Sequence, residues 1–285
     1  WVPRFKDIHA GQRCVIIGNG PSLNRMDLSF LEKEITFGLN RIYLLFEKWK
    51  FRPTYYVAVN PLVIEQSASE IQGLGGTKFI SDCGRQCLEV SEGLHFIHKD
   101  HSWHFSKNPE TGLCEGWTVT FVAMQLAYHM GFKEVVLIGI DHHFITKGEP
   151  NEAVVSEGDD PNHFHPEYFG KGVRWHLPDL ERSEISYRMA KQAFESDGRR
   201  ILDATVDGRL NVFSKVDYRE YFKTPFSSVE WGSQHTGTDA LLALKHAQEL
   251  VDSGKLDEAG TLLETAIADL SQEGSLHFAR GLLHE

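Results

Sequence analysis

The segment 15–23, VIIGNGPSL, holds the residues best suited to chemistry. An apolar β-branched run ends on Gly18-Asn19-Gly20-Pro21-Ser22, and a short amphipathic stretch follows. A strand that delivers a glycine-rich turn to a helix N-terminus can cradle a phosphate. Glycine lets backbone approach the ligand, and open N–H groups with the helix dipole favour an anion. The turn lacks the Lys-Ser/Thr of a P-loop and the third glycine of the dinucleotide fingerprint, so the phosphate scheme it predicts is a different one. The plain alternative is a tight strand-to-helix turn without a ligand.

Such a turn acts only where a sheet presents it. Short apolar runs at 13–17, 35–39, 55–59, 78–81, 95–97, 134–140 and 200–204 alternate with helical patterns, among them 117–130 and 182–195. Runs without polar alternation are the mark of strands covered on both faces. The expected fold is α/β, a doubly wound, mostly parallel sheet with a small all-α C-terminal extension. The strand endings are polar: Gly18-Asn19-Gly20, Asn40, Asn60-Pro61, Asp141 and Asp203-Ala204-Thr205. Ligands of open α/β sheets sit beyond the carboxyl ends of strands, so these endings predict one pocket, with Asp141 among its residues. Asn and Asp also follow strands simply because they make turns.

Residues 142–176 carry little period and many Gly, Pro, His and aromatic residues. A connection this long is usually functional or disordered, and Phe164, Tyr168, Phe169 and Trp175 argue for order. The segment reads as a lid over the pocket, in which Lys171 and Arg174 supply positive charge for a phosphate or serve as solvated loop cations. His142, His143, His163 and His165 could gather round a divalent ion, though no firm ligand spacing is matched. Asp159-Asp160, between Gly158 and Pro161, reads as turn chemistry rather than a chelating pair.

Composition bounds the function. The 285 residues include 41% hydrophobic and 24% charged, as in soluble globular proteins. A net charge of −11 argues against nucleic acid as a partner. No apolar run approaches the roughly 18 residues of a membrane span, and no signal peptide is visible. Cys14, Cys83, Cys87 and Cys114 are scattered and read as reduced thiols of a cytoplasmic protein. The chain opens on Trp1, which suggests a piece of a longer protein. Three segments are expected: a doubly wound α/β domain at 1–222, a Ser/Thr/Gly-rich linker at 223–237 and a helical segment at 238–285. Residues 237–285 hold three Lys or Arg against nine Asp or Glu, a net of −6. Ala247, Leu250, Gly254, Leu256, Glu258-Ala259, Leu263 and Ala266 resemble tetratricopeptide repeats. That resemblance implies a surface for a protein partner.

GNGPSL, the Asn40 and Asn60-Pro61 endings and GWTVTFVAMQLAYHMGFKEVVLIGID resemble the bacterial sialyltransferases with a single Rossmann-like domain. The lid residues HFHPEYFGKGVRWH look more like the related MptE-like group, which includes motility accessory factor proteins linked to flagellin glycosylation. The resemblance covers roughly residues 10–215. It implies that Gly18, Asn19, Gly20, Pro21 and Ser22 line the nucleotide end of a CMP-sugar donor, with Asn40 and Asn60 reaching phosphate, ribose or sugar. Thr118, or failing it Thr120, matches a small hydroxyl residue that touches the donor sugar. Tyr168 matches one of two phosphate-binding lid tyrosines, with no clear second. His176 matches the general base.

Those residue types suit inverting transfer. A base takes the acceptor hydroxyl's proton as the phosphate departs, and imidazole titrates in the right range. Tyr168, Lys171, Arg174 and loop amides would hold the leaving phosphate without a metal. The expected activity is therefore sialyltransferase-like glycosyl transfer from a nucleotide sugar to a glycan or protein hydroxyl, with no cofactor required. One alternative is the MptE-like activity, transfer of diphosphate from ATP to a hydroxymethyl pterin. That would need Mg²⁺ held by carboxylates, for which Asp141, Asp159 and Asp160 are the candidates. The other is a nucleotide-binding module without turnover on a repeat scaffold.

Overall fold

Strands apolar on both sides must be covered on both faces. The computed structural model describes residues 2–49, 51–224 and 226. The first five strands are β1 (Arg13–Ile17), β2 (Ile35–Leu39), β3 (Tyr55–Ala58), β4 (Thr77–Ser81) and β5 (Leu94–Ile97). A two-residue pair outside the main sheet, β6 (Lys99–Asp100) and β7 (Leu113–Cys114), precedes β8 (Glu134–Ile138). An antiparallel ribbon, β9 (Ala153–Val155) with β10 (Arg174–His176), comes before β11 (Arg200–Asp203) and β12 (Ser214–Lys215). The main sheet runs β12-β11-β8-β1-β2-β3-β4-β5, and every pairing in it is parallel. This is the doubly wound α/β sheet expected from the sequence. The exposed two-residue edge strand β12 carries no apolar pattern and was not legible there.

Side-chain parity sorts the core into two halves. Cys14 and Ile16 of β1 join Phe37, Val57, Val135 and Ile201 on one face, under the helices α3 (Val119–His129) and α4 (Leu180–Ser196). Thr118 caps α3, its Oγ1 accepting from Thr120 N at 3.3 Å, and the chain leaves the helix at Gly131, where φ is +87°. From Thr120 to His129 every residue of α3 is buried, so it crosses the core rather than lining it.

On the other face Val15 and Ile17 meet Val136, Ile138 and Ile80. Two short helices, α1 (Pro61–Gln66) and α2 (Ala68–Gly73), cover only part of it. The lid covers more. Phe164, Tyr168 and Phe169 belong to this core, and Trp175 stacks on Phe169 with ring centroids 4.9 Å apart. The aromatic anchoring expected for 142–176 is present, together with a ribbon that the sequence pattern did not show. After β11 the last helix described is α5 (Tyr218–Tyr221).

Trp1–Phe226 forms one compact unit. The tetratricopeptide-like helices at 238–285, and nearly all of the expected linker, lie outside the described residues. Among the described residues no helix is long and apolar enough to cross a membrane. The four cysteines are free.

Candidate functional site

The strand order reverses between β1 and β8, and the crevice beyond such a reversal is where doubly wound sheets take ligands. Here the exits of the two strands are bonded to each other. Gly18 N–H donates to Ile138 O at 2.8 Å and Gly20 N–H to Gly139 O at 2.9 Å. Ser22 donates from N and from Oγ to the two carboxylate oxygens of Asp141, at 3.0 and 2.6 Å. A Cβ on Gly18 would stand 2.4 Å from Gly139 O, and one on Gly20 1.8 Å from Asp141 Oδ2.

The glycines therefore serve the approach of one strand exit to another. The amides of Gly18, Gly20 and Ser22 are occupied, and a 3-10 turn, Pro21–Arg25, follows instead of an α-helix. A phosphate cradle of open loop amides, expected from the sequence, is not what this turn builds. Pro21 and Ser22 do not border the cleft, and Ser22 is buried against Asp141. Burial raises the Asp141 carboxyl above its ordinary value, and the bonds from Ser22 oppose that rise.

The cleft has two chambers. The smaller, about 150 Å³, lies over Gly18, Asn19 and Gly20 and along 139–144. The larger, about 590 Å³, reaches Asn60, His176 and Trp103. Asn40, Thr118, His163 and Tyr168 border both. Two buried acceptors there have no hydrogen-bond partner among the described residues, Asn19 Oδ1 and Asn40 Oδ1. Asn19 is oriented by its Nδ2, which donates to Leu39 O at 3.1 Å. Asn40 sits in the left-handed region with φ 47°, as do Trp117 at 60° and His142 at 51°. Left-handed non-glycine residues crowding one cleft point to function.

Asn60 caps α1, its Oδ1 accepting from Leu62 N at 3.0 Å and Val63 N at 3.3 Å. The amide nitrogen is thereby turned to His176, 3.4 Å from Nδ1. The period of two in β10 explains the neighbours. Arg174 shares the α1 side with His176 and pairs with Glu65 at 3.0 Å, while Trp175 turns to the lid core. Arg174 and the exposed Lys171 are consequently not brought to the cleft. The cation the lid does use is Arg41, whose guanidinium donates to the carbonyls of Glu167 and Tyr168. Tyr168 is buried, which raises its phenol far above the ordinary value, and its hydroxyl accepts from Arg41 N at 3.5 Å.

Thr118 borders both chambers with its Oγ1 3.3 Å from the hydroxyl of Tyr187, on α4. Tyr187 is the second tyrosine of the cleft, hidden from sequence reasoning because it belongs to a helix rather than the lid. Trp103 and Trp117, 4.5 Å apart between ring centroids, are exposed at the larger chamber. The lid is also tied to the glycine turn: Phe164 N–H donates to Asn19 O at 2.9 Å, and Asn24 Nδ2 donates to Phe164 O at 2.7 Å. Of the five polar strand endings, four border the cleft. The fifth is turned away, Asp203 accepting from Lys215 Nζ at 2.5 Å and Thr205 N at 2.8 Å.

A resident divalent ion does not fit these residues. Asp141 is bonded to Ser22 through both oxygens. Asp160 accepts from Asn162 N, Phe169 N and His163, and Asp159 is exposed outside the cleft. His142 faces Glu184 at 3.2 Å and His165 accepts from Glu167 N, so the lid histidines do not converge. Among the described residues no three His, Cys, Asp or Glu come together to hold a metal.

Residues 2–147 match the family model described as 6-hydroxymethylpterin diphosphokinase MptE-like. Among solved structures, the MAf glycosyltransferase from Magnetospirillum magneticum AMB-1 is similar at 12% identity and a TM-score of 0.49, over 93% of this chain and 49% of that one. The chain thus spans about half the length of that protein. No curated protein matches the sequence.

Proposed function

The chain belongs to the MptE-like family, and from that premise we propose that it is a transferase acting on a nucleotide-linked donor. The group moved is a sugar, carried first of all by CMP, and the acceptor is a hydroxyl of a glycan or protein. The observation that carries this is the pair of buried, unpartnered acceptors Asn19 Oδ1 and Asn40 Oδ1 at the strand-order reversal. A buried acceptor without a donor costs about 1–3 kcal/mol, which a ligand that brings donors removes. Sugar and ribose hydroxyls and the exocyclic amine of cytosine are such donors. Phosphate oxygens are not, so the phosphate lies away from these two atoms, toward Thr118, Tyr168 and His176. The larger chamber then receives the acceptor.

The description of the matched family favours a second reading, transfer of diphosphate from ATP to a hydroxymethyl pterin. A pterin also offers an amine, but its reaction depends on Mg²⁺, and each cleft carboxylate already has a partner: Asp141 with Ser22, Asp100 with Ser102 N, Glu115 with Lys99, and Asp179 with Asn151 and Arg182 N. Calorimetry with CMP, CDP and UDP in the absence of metal, against ATP with Mg²⁺, separates the two. Metal-free CMP binding with release of CMP from a CMP-sugar is the expected result. Binding of ATP alone and only with Mg²⁺ would overturn it. Nucleotide binding with no donor breakdown would reduce the protein to a binding module.

A further inference from the structure

Which histidine can act as the base depends on which ring nitrogen is bare. A neutral imidazole has one donor nitrogen and one acceptor, and its partners decide which is which. At His176 the answer is set by α1. Asn60 Oδ1 is held by two backbone N–H groups, so Asn60 offers His176 Nδ1 a donor, and the ring proton resides on Nε2. Presented this way, His176 gives a hydrogen bond and does not take a proton at Nε2.

His163 is arranged the opposite way. Its Nδ1 lies 2.6 Å from Asp160 Oδ2, and a carboxylate only accepts, so Nδ1 carries the proton. Asp160 is buried and fixed by two further donors, Asn162 N at 2.8 Å and Phe169 N at 3.1 Å. The imidazole lies flat on Tyr168, centroids 3.9 Å apart and planes 8° from parallel. Phe144 and Phe169 stand edge-on to it. Nε2 has no hydrogen-bond partner among the described residues, and the residue borders both chambers. His142 also has a bare nitrogen, Nδ1, but borders the smaller chamber alone. The ionisable groups packed about His163 are Asp160, Tyr168 and, 5.9 Å from the Tyr168 ring centroid, Arg41.

We propose that His163 is the proton acceptor of the transfer reaction, with Asp160 as its positioning residue and His176 as a donor to the departing phosphate. This rests on the transferase reading above. In the step, the acceptor O–H bond breaks and its proton passes to His163 Nε2. The oxygen's electron pair forms the bond to the anomeric carbon as the bond from that carbon to phosphate oxygen breaks. The pair from the broken bond leaves with the nucleotide, and His176 Nε2–H meets the developing charge. The imidazolium so formed is neutralised by Asp160.

The test takes the full chain with CMP-N-acetylneuraminic acid and follows CMP release, alongside CMP binding by calorimetry. His163→Asn keeps a donor for Asp160 and removes Nε2. It is expected to lower kcat by roughly 10² to 10⁴-fold with CMP affinity unchanged. Asp160→Asn withdraws the charge that favours imidazolium, so the acidic limb of the pH profile moves to lower pH. A limb that moves with His176→Asn and stays put in Asp160→Asn overturns the assignment. Nitrogen NMR of the wild-type histidines needs no variant and no turnover. His163 with Nδ1 protonated and Nε2 bare supports the proposal, and Nε2 protonated overturns it. Absence of both CMP binding and CMP release, with the bare Nε2 observed, would sink the CMP-donor reading while leaving the dyad standing.

Discussion

Ser22 and Asp141 are joined twice, through the backbone N–H at 3.0 Å and the hydroxyl at 2.6 Å. This pair closes the gap between the exits of β1 and β8, so the floor of the cleft is a clamp between two strands. Ser22→Ala leaves Asp141 Oδ2 without its donor in a partly buried site. It should lose about 1–3 kcal/mol of stability, read as a lower urea midpoint at constant slope.

Gly20→Ala sets a methyl 1.8 Å from Asp141 Oδ2 and 2.9 Å from Gly139 O. Overpacking of this kind costs about 1–3 kcal/mol. The cost is expected to shrink in the double variant with Asp141→Ala, where the carboxylate is gone. Equal costs in the two backgrounds would place the strain at Gly139 instead. A denaturation cycle over the four proteins decides.

Asn40 is left-handed, so Asn40→Gly places no strain on the backbone and removes only the amide. The fold should be as stable as before or slightly more so. Affinity for CMP should fall about three- to tenfold, the worth of one net hydrogen bond. Unchanged affinity by calorimetry would mean that the unpartnered Oδ1 does not face the ligand.

The Asp160 carboxyl feels burial, which raises its pKa, against the His163 bond and charge and the amides of Asn162 and Phe169, which together hold it below the ordinary 3.8. A depressed carboxyl stabilises the fold above its unfolded value, and that stability is lost as pH falls through the folded value. The lid should therefore loosen below about pH 4. Trp175, stacked on Phe169, reports it by fluorescence, and Asp160→Asn should flatten the acid-dependent change.

Chelation gives a further check. Because no carboxylate set converges on a metal among the described residues, EDTA should leave CMP affinity unchanged. A loss of binding that Mg²⁺ restores would favour the diphosphokinase reading.

The fold was legible because buried parallel strands announce themselves as apolar runs, and β1 and β2 fall on 13–17 and 35–39. The edge strand Ser214–Lys215 and the lid ribbon were not legible, the first being short and exposed and the second short and partly exposed. The site was legible where it depends on strand endings, as at Asn40 and Asn60. It was hidden where it depends on who bonds whom. Glycines at a strand exit look alike whether they meet a phosphate or a neighbouring carbonyl, and only the bonds to Ile138 and Gly139 tell the cases apart. Likewise Asp160 looked like turn chemistry, and the turn it makes is the one that sets His163.

The lid's backbone is fastened at Phe164 to the carbonyl of Asn19 and to the side chain of Asn24. A segment held this way cannot lift without releasing the turn beneath it. Roof and floor of the cleft are thus one unit of local opening, and their amides should exchange with deuterium at a shared rate. The traffic of small molecules through the cleft is timed by that joint event, so an isotope clock placed on either segment keeps time for both.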